Sequence, residues 1–138
     1  MPRRYYVDTS AYLCILLGEA GSAALRRELK GGQLLGSALL VLEATRNLVR
    51  LSRDGMLAPS ELNACLAQVD LDLLQFQLRD LTFDLCRGRT LPAVSTPRTL
   101  DLAHLRTALW FHAQEPLARF VSLDAAQREA ARELGLPV

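Results

Sequence analysis

A short apolar strand, Arg4-Tyr5-Tyr6-Val7, ends on the carboxylate of Asp8 and runs almost directly into a helical stretch from Ser10 to Leu17. In an open α/β sheet ligands bind outside the carboxyl ends of the strands, so an acid at that point is placed for chemistry. The pattern then repeats. After a helical piece from Ala20 to Lys30, stopped by Gly31-Gly32, a second strand at Gln33 to Gly36 passes through Ser37 into a helix from Ala38 to Arg53. Pro59 opens a further helix to about Val69, Leu73 to Leu78 reads as a third strand, and Leu81 to Cys86 as a short helix. Gly88 to Pro97 is loop-like. A helix from Arg98 to Phe111, a fourth strand at Arg119 to Leu123 and a helix from Ala125 to Leu134 complete the chain. Strands alternating with helices at this spacing predict an α/β fold: a single domain over 1–138 with a mainly parallel central sheet of four to five strands, flanked by helices.

Length and composition set the bounds. A chain of 138 residues buries roughly two thirds of its unfolded surface, enough for one core without disulfides or a structural metal. Half the residues are hydrophobic and the mean hydropathy is +0.12, so an apolar surface is expected to remain for a partner once the core is filled. The formal net charge is only +1, so polyanion binding would have to come from local arginines; Lys30 is the sole lysine. Cys14, Cys65 and Cys86 are odd in number and widely spaced, which suits free thiols in a reducing compartment rather than zinc ligands. The apolar run after Arg3-Arg4 is broken by Asp8, and no stretch approaches the roughly 20 apolar residues of a membrane helix, so a cytoplasmic protein with no membrane partner is expected.

Four acids recur where the pattern turns from strand to helix. Asp8 and Asp124 stand just past strand ends, while Glu43 and Asp101 are expected in the first turns of helices that begin near the same sheet edge. Taken singly, an Asp before Thr-Ser is equally well an N-cap. As a set, four convergent carboxylates repel one another unless a cation shares the site. Oxygen-only ligation suits Mg²⁺ or Mn²⁺ rather than zinc, and such a centre orients a phosphodiester, activates a water and stabilises the leaving oxygen. The reaction class expected from the acids is hydrolytic phosphoryl transfer.

In the same order along the whole chain, Val7-Asp8-Thr9-Ser10, then Gly18-Glu19, then Ser37-Ala38-Leu39-Leu40-Val41-Leu42-Glu43-Ala44-Thr45-Arg46 match the early motifs of one family. Arg98-Thr99-Leu100-Asp101-Leu102-Ala103-His104-Leu105 and Val121-Ser122-Leu123-Asp124, with Ala130-Ala131 through Gly135-Leu136-Pro137-Val138, match its later ones. The chain resembles the PIN-domain ribonucleases, and among them the VapC-type toxins of bacterial toxin–antitoxin pairs. The resemblance implies a PIN-like fold and a metal-dependent endoribonuclease in which Asp8, Glu43, Asp101 and Asp124 bind Mg²⁺ or Mn²⁺, directly or through water. Ser122 matches the family's Ser/Thr two residues before the last acid, and Thr9 or Ser10 would hydrogen-bond a metal-held water. The resemblance further implies an RNA substrate, a cognate VapB-type antitoxin lying over the cleft, and a homodimer. Arg106 departs from the family, where alanine is more common; five residues beyond Asp101, it lies off the acid's helical face and affects packing or a phosphate contact instead.

Other residues carry plainer readings. His104 shares a helical face with Asp101, yet is expected to be a packed histidine bonded to a neighbour, and His112 to be structural. Arg46 and Arg50 follow Glu43 on one face and either steer RNA phosphates or form a solvated, salt-bridged surface. Asp70 and Asp72 are read as solvating a helix-to-strand turn, and Trp110-Phe111 as core or dimer contact. A receiver domain would need a late lysine, and a haloacid-dehalogenase-like phosphatase an Asp at position 10, where Ser10 stands. The remaining alternative is a PIN-fold RNA- or protein-binding regulatory module with little or no nuclease activity.

Overall fold

The computed structural model describes residues 1–87, 94 and 98–138; most of the expected loop from Gly88 to Pro97 lies outside them. Four strands, β1 (Arg4–Val7), β2 (Gln33–Ser37), β3 (Phe76–Arg79) and β4 (Arg119–Val121), form one sheet in the order β3-β2-β1-β4. Every pairing is parallel, with Tyr5 opposite Leu34 on one side and Tyr6 opposite Phe120 on the other. Parallel strands place all their carboxyl ends along one edge. The chain leaves β1 for β2 on one flank and later returns to lay β4 on the opposite flank, so the direction of winding reverses between β1 and β4. That reversal is the switch point at which open α/β sheets form a ligand crevice.

Helices cover both faces: α1 (Thr9–Leu17), α2 (Ser22–Leu29), α3 (Leu39–Arg53), α4 (Pro59–Leu73), α5 (Phe83–Arg87), α6 (Thr99–Gln114) and α7 (Ala125–Glu133). The strand period of two assigns the cores. Tyr5 and Val7 enter one cluster with Tyr12, Leu40, Ala44, Leu48 and Val69, whereas Tyr6 enters the other with Leu35, Leu105, Phe111, Phe120 and Ala131. Helix α1 ends at Gly18, whose φ of 63° is the left-handed conformation that lets its N–H close on the carbonyls of Cys14 and Ile15.

Three expectations are corrected. The third strand is Phe76–Arg79 rather than Leu73 to Leu78, because α4 continues past Val69 to Leu73. Asp70 and Asp72 therefore lie within a helix and not at a turn. The Tyr12 hydroxyl donates to Asp72 at 2.8 Å, and this bond gives helix α4 a polar tie to α1. Glu43, expected in a first turn, is the fifth residue of α3 (Leu39–Arg53) and so opens its second turn.

Candidate active site at the switch point

Each acid is placed by the element it belongs to. Asp8 leaves β1 in extended conformation and caps α1, its Oδ1 accepting from the Ala11 amide at 3.1 Å and from Ser10 Oγ at 2.7 Å. Asp124 does the same after β4: its Oδ1 accepts from the Ala126 and Gln127 amides and so starts α7. Since β1 and β4 are neighbours, with the Asp8 amide donating to the Val121 carbonyl at 3.0 Å, these two acids flank the switch point. The capping reading and the clustering reading thus both hold, because a cap engages only one carboxylate oxygen. Helix α6 runs back from the same sheet edge towards the start of β4, which brings Asp101 in its first turn beside α7; Gln127 Nε2 donates to the Asp101 carbonyl at 3.0 Å.

Hydroxyls, backbone amides and one cation link Asp8, Asp124 and Asp101, while Glu43 has partners of its own beside them. Ser122 hydrogen-bonds Asp8, lies 3.4 Å from Ser10 Oγ, and accepts from the Asp124 amide at 3.1 Å. Ser10 Oγ in turn accepts from the Leu123 amide at 3.0 Å. Arg98, the residue before α6, donates from Nε to Asp101 Oδ2 at 2.8 Å and from a terminal nitrogen to Asp124 Oδ2 at 2.7 Å. Its guanidinium is held charged first by Asp101 and then by Asp124. Glu43 reaches the group from α3, its Oε1 accepting from Thr9 Oγ1 at 2.9 Å and meeting His104 Nε2 at 2.6 Å.

Arg98 and Tyr6 were not expected from the sequence, and His104 matters more than expected. The His104 ring is 3% exposed, as expected of a packed histidine, but its other nitrogen lies 2.8 Å from the Tyr6 hydroxyl. Burial, with the charge of Asp8 next, pushes the Tyr6 phenol well above its usual range, so it remains a hydroxyl. The Tyr6 hydroxyl and His104 Nδ1 share this hydrogen bond, which holds the ring so that Nε2 faces Glu43. The visible signals were the spacing from Asp101 to His104 and the arginine three residues before Asp101.

Burial differentiates the carboxylates. Asp8 is 5% exposed, and desolvation raises its carboxyl above the ordinary range, against the lowering hydrogen bonds of Ser122, Ser10 and the Ala11 amide. For Glu43, burial raises the value, but the hydrogen bond and charge of His104, with the Thr9 hydroxyl, overcome it and leave Glu43 below its ordinary range. One acid is therefore short of positive charge while its neighbour is held ionised.

Among the described residues no three His, Cys, Asp or Glu side chains stand close enough together to grip a metal ion as they are. The acids sit instead in smaller sets, each with its own partner. Their chemistry nonetheless fits a hard divalent ion: the donors are oxygens, Asp8 is buried without a full counter-charge, and a guanidinium already occupies a cation's place between Asp101 and Asp124. Zinc does not fit, since both His104 nitrogens are engaged and Cys14 Sγ is turned to the Ala20 carbonyl.

The remaining candidates fall outside this network. Arg106 Nε donates to the Leu85 carbonyl at 3.0 Å and ties α6 to α5. His112 Nδ1 accepts from the Leu117 amide at 3.0 Å. Phe111 is core, and Trp110 packs beside it with the Arg79 guanidinium 4.6 Å from its ring centre. Arg46 and Arg50 are exposed on α3 beyond Glu43, Arg50 bonded to Asn47 at 3.0 Å.

An all-parallel four-stranded sheet in this order, with helices on both faces and acids at the switch point, is an α/β domain of PIN-like fold. Among solved structures it is similar to the crystal structure of VapC20 from Mycobacterium tuberculosis, a sarcin-ricin loop cleaving toxin. The likeness covers 90% of this chain and 92% of that one, with a TM-score of 0.53 and 16% sequence identity, so what the two share is the fold. No protein-family model and no curated protein matches the sequence.

Proposed function

We propose that the chain is a metal-dependent endoribonuclease acting as the toxin of a type II toxin–antitoxin pair. The observation that carries this reading is the network of Asp8, Ser10, Ser122, Asp124, Arg98 and Asp101 across the β1/β4 switch point, with Glu43 on α3 bonded to Thr9, the residue next to Asp8. Asp8, Glu43, Asp101 and Asp124 would hold Mg²⁺ or Mn²⁺. Such an ion supplies Lewis acidity at a phosphoryl oxygen and a nucleophile at neutral pH. The chain's own groups do the positioning. Ser10 and Ser122 orient the Asp8 carboxylate, while Thr9 and the Tyr6–His104 pair hold the ionised Glu43 in place.

An RNA substrate is supported by the fold shared with a sarcin-ricin loop cleaving toxin and by the exposed Arg46, Arg50 and Arg53 that continue along α3 from Glu43. A VapB-type antitoxin and a homodimer agree with exposed apolar side chains such as Leu42, Leu74 and Phe83. A cytoplasmic setting agrees with three free cysteines and with the finding that no helix of the described residues is long and apolar enough to cross a membrane. The binding-module alternative draws on the Arg98 bridge, which satisfies two of the acids without a metal.

The test is RNA cleavage by the purified chain, freed of any partner, with Mg²⁺ or Mn²⁺ or EDTA. Asp8→Asn and Asp101→Asn, each of verified fold, are expected to lower the rate at least about a hundredfold. Metal-independent cutting, or undiminished cutting by both variants, contradicts the assignment. Retained RNA binding with no cleavage under any metal supports the binding module.

A further inference from the structure

Arg98 holds two acids that come from different elements, Asp101 in the first turn of α6 and Asp124 at the N-cap of α7, through two nitrogens of one planar fork at 2.8 and 2.7 Å. Asp124 Oδ1 is already engaged by the Ala126 and Gln127 amides, so Oδ2 is the oxygen left for a cation, and Oδ2 is the atom Arg98 bonds. Asp101 likewise meets Arg98 through its Oδ2. We infer that Arg98 is a built-in competitor for the cation position between Asp101 and Asp124, and that its guanidinium must swing out before a divalent ion is held there. The inference rests on the metal reading above and adds a residue that sets how readily the site loads.

Two features make the exchange feasible. The Arg98 side chain is 65% exposed, so on release its charge moves into water and no buried group is left unpaired. A divalent ion also offers the two carboxylates twice the charge of a guanidinium, so the ion wins once its concentration is sufficient. With Arg98 seated for most of the time, the apparent affinity for the ion falls in proportion to the fraction of molecules whose site is open. If Arg98 acted only as a nearby charge, its loss would still favour the ion, but Arg98→Lys, which keeps the charge and loses the planar fork, would then bind the ion as wild type does.

Mn²⁺ titration of the wild-type chain, Arg98→Ala, Arg98→Gln and Arg98→Lys, by calorimetry or by the electron spin resonance of free Mn²⁺, separates the two roles. Arg98→Gln keeps most of the stem and a donor but loses the charge, and it guards against a fold defect in the alanine variant. Both variants are expected to bind Mn²⁺ about three- to tenfold more tightly than wild type, and to show a larger Mn²⁺-induced rise in Tm. Arg98→Lys is expected to fall between them and wild type. Equal or weaker binding by both neutral variants, with binding by wild type present, overturns the role of Arg98 alone. Absence of Mn²⁺ binding in all four proteins overturns the metal reading and this inference with it.

Discussion

Asp8 has the least comfortable surroundings of any acid in the network, and its environment determines what a substitution does. Its carboxyl is raised by desolvation, so the folded protein binds this proton more tightly than the unfolded chain does. Linkage then runs downhill with pH: as pH rises from the ordinary carboxylate range through the raised value, ionising Asp8 removes stability. Asp8→Asn keeps the capping oxygen for Ala11 and removes the charge. In metal-free buffer at pH 7 it is expected to stabilise the fold by about 1 kcal/mol, a rise of a few degrees in Tm, although it lowers metal-dependent cleavage. Thermal unfolding at pH 7 and again near pH 4 checks this, since the advantage should shrink at the lower pH. A less stable Asn variant at pH 7 would mean that the hydrogen bonds of Ser10 and Ser122 outweigh burial. Asp8 was legible as a candidate from its place after an apolar strand. Its raised carboxyl was not, because burial is set by Ser10, Ser122 and β4, the last of which is more than a hundred residues away in sequence.

At the scale of elements, α3 connects the acidic network to the surface. Its buried stripe, Leu40, Ala44 and Leu48, packs against the sheet, Glu43 turns towards the cleft, and Arg46, Arg50 and Arg53 face water. If this face carries RNA, replacing the three arginines by alanine should weaken binding to single-stranded RNA by the metal-free chain. The slope of log affinity against log salt should fall by about two, at roughly 0.7 for each phosphate no longer neutralised. Stability should change by no more than about 0.5 kcal/mol per site, since these side chains are exposed. An unchanged salt slope would assign the stripe to solvation alone. Helix and strand identities were largely readable from apolar periodicity and from Gly and Pro punctuation. The boundary between α4 and β3 was not, because Leu71, Leu73 and Leu74 satisfy either period, and the Tyr12–Asp72 bond that ties the helix to α1 joins residues 60 apart.

For the whole molecule, two cores on opposite faces of one short sheet share their strands, Tyr5 and Val7 pointing to one and Tyr6 to the other. Neither core can be lost without disrupting β1, so the described structure predicts a single cooperative unfolding transition. Agreement of calorimetric and van't Hoff enthalpies would confirm it, and two resolved transitions would contradict the single-domain reading. Addition of Mn²⁺ at about a hundred times its Kd should stabilise the chain by about 2.7 kcal/mol and raise Tm accordingly. By itself the sequence determined the alternation of strands and helices, and hence a parallel α/β sheet, because periodicity and turn chemistry are local properties. It also marked Asp8, Glu43, Asp101, Ser122 and Asp124 as candidates, since each stands near a strand-to-helix passage or in a recognisable motif. Only the tertiary structure decided that β4 lies against β1, which sets Asp8 beside Ser122. Only it showed Arg98 across Asp101 and Asp124, and Tyr6 acting through His104 on Glu43. Those pairings depend on strand order and side-chain direction between residues up to 114 positions apart, such as Asp8 and Ser122, and no local pattern encodes them.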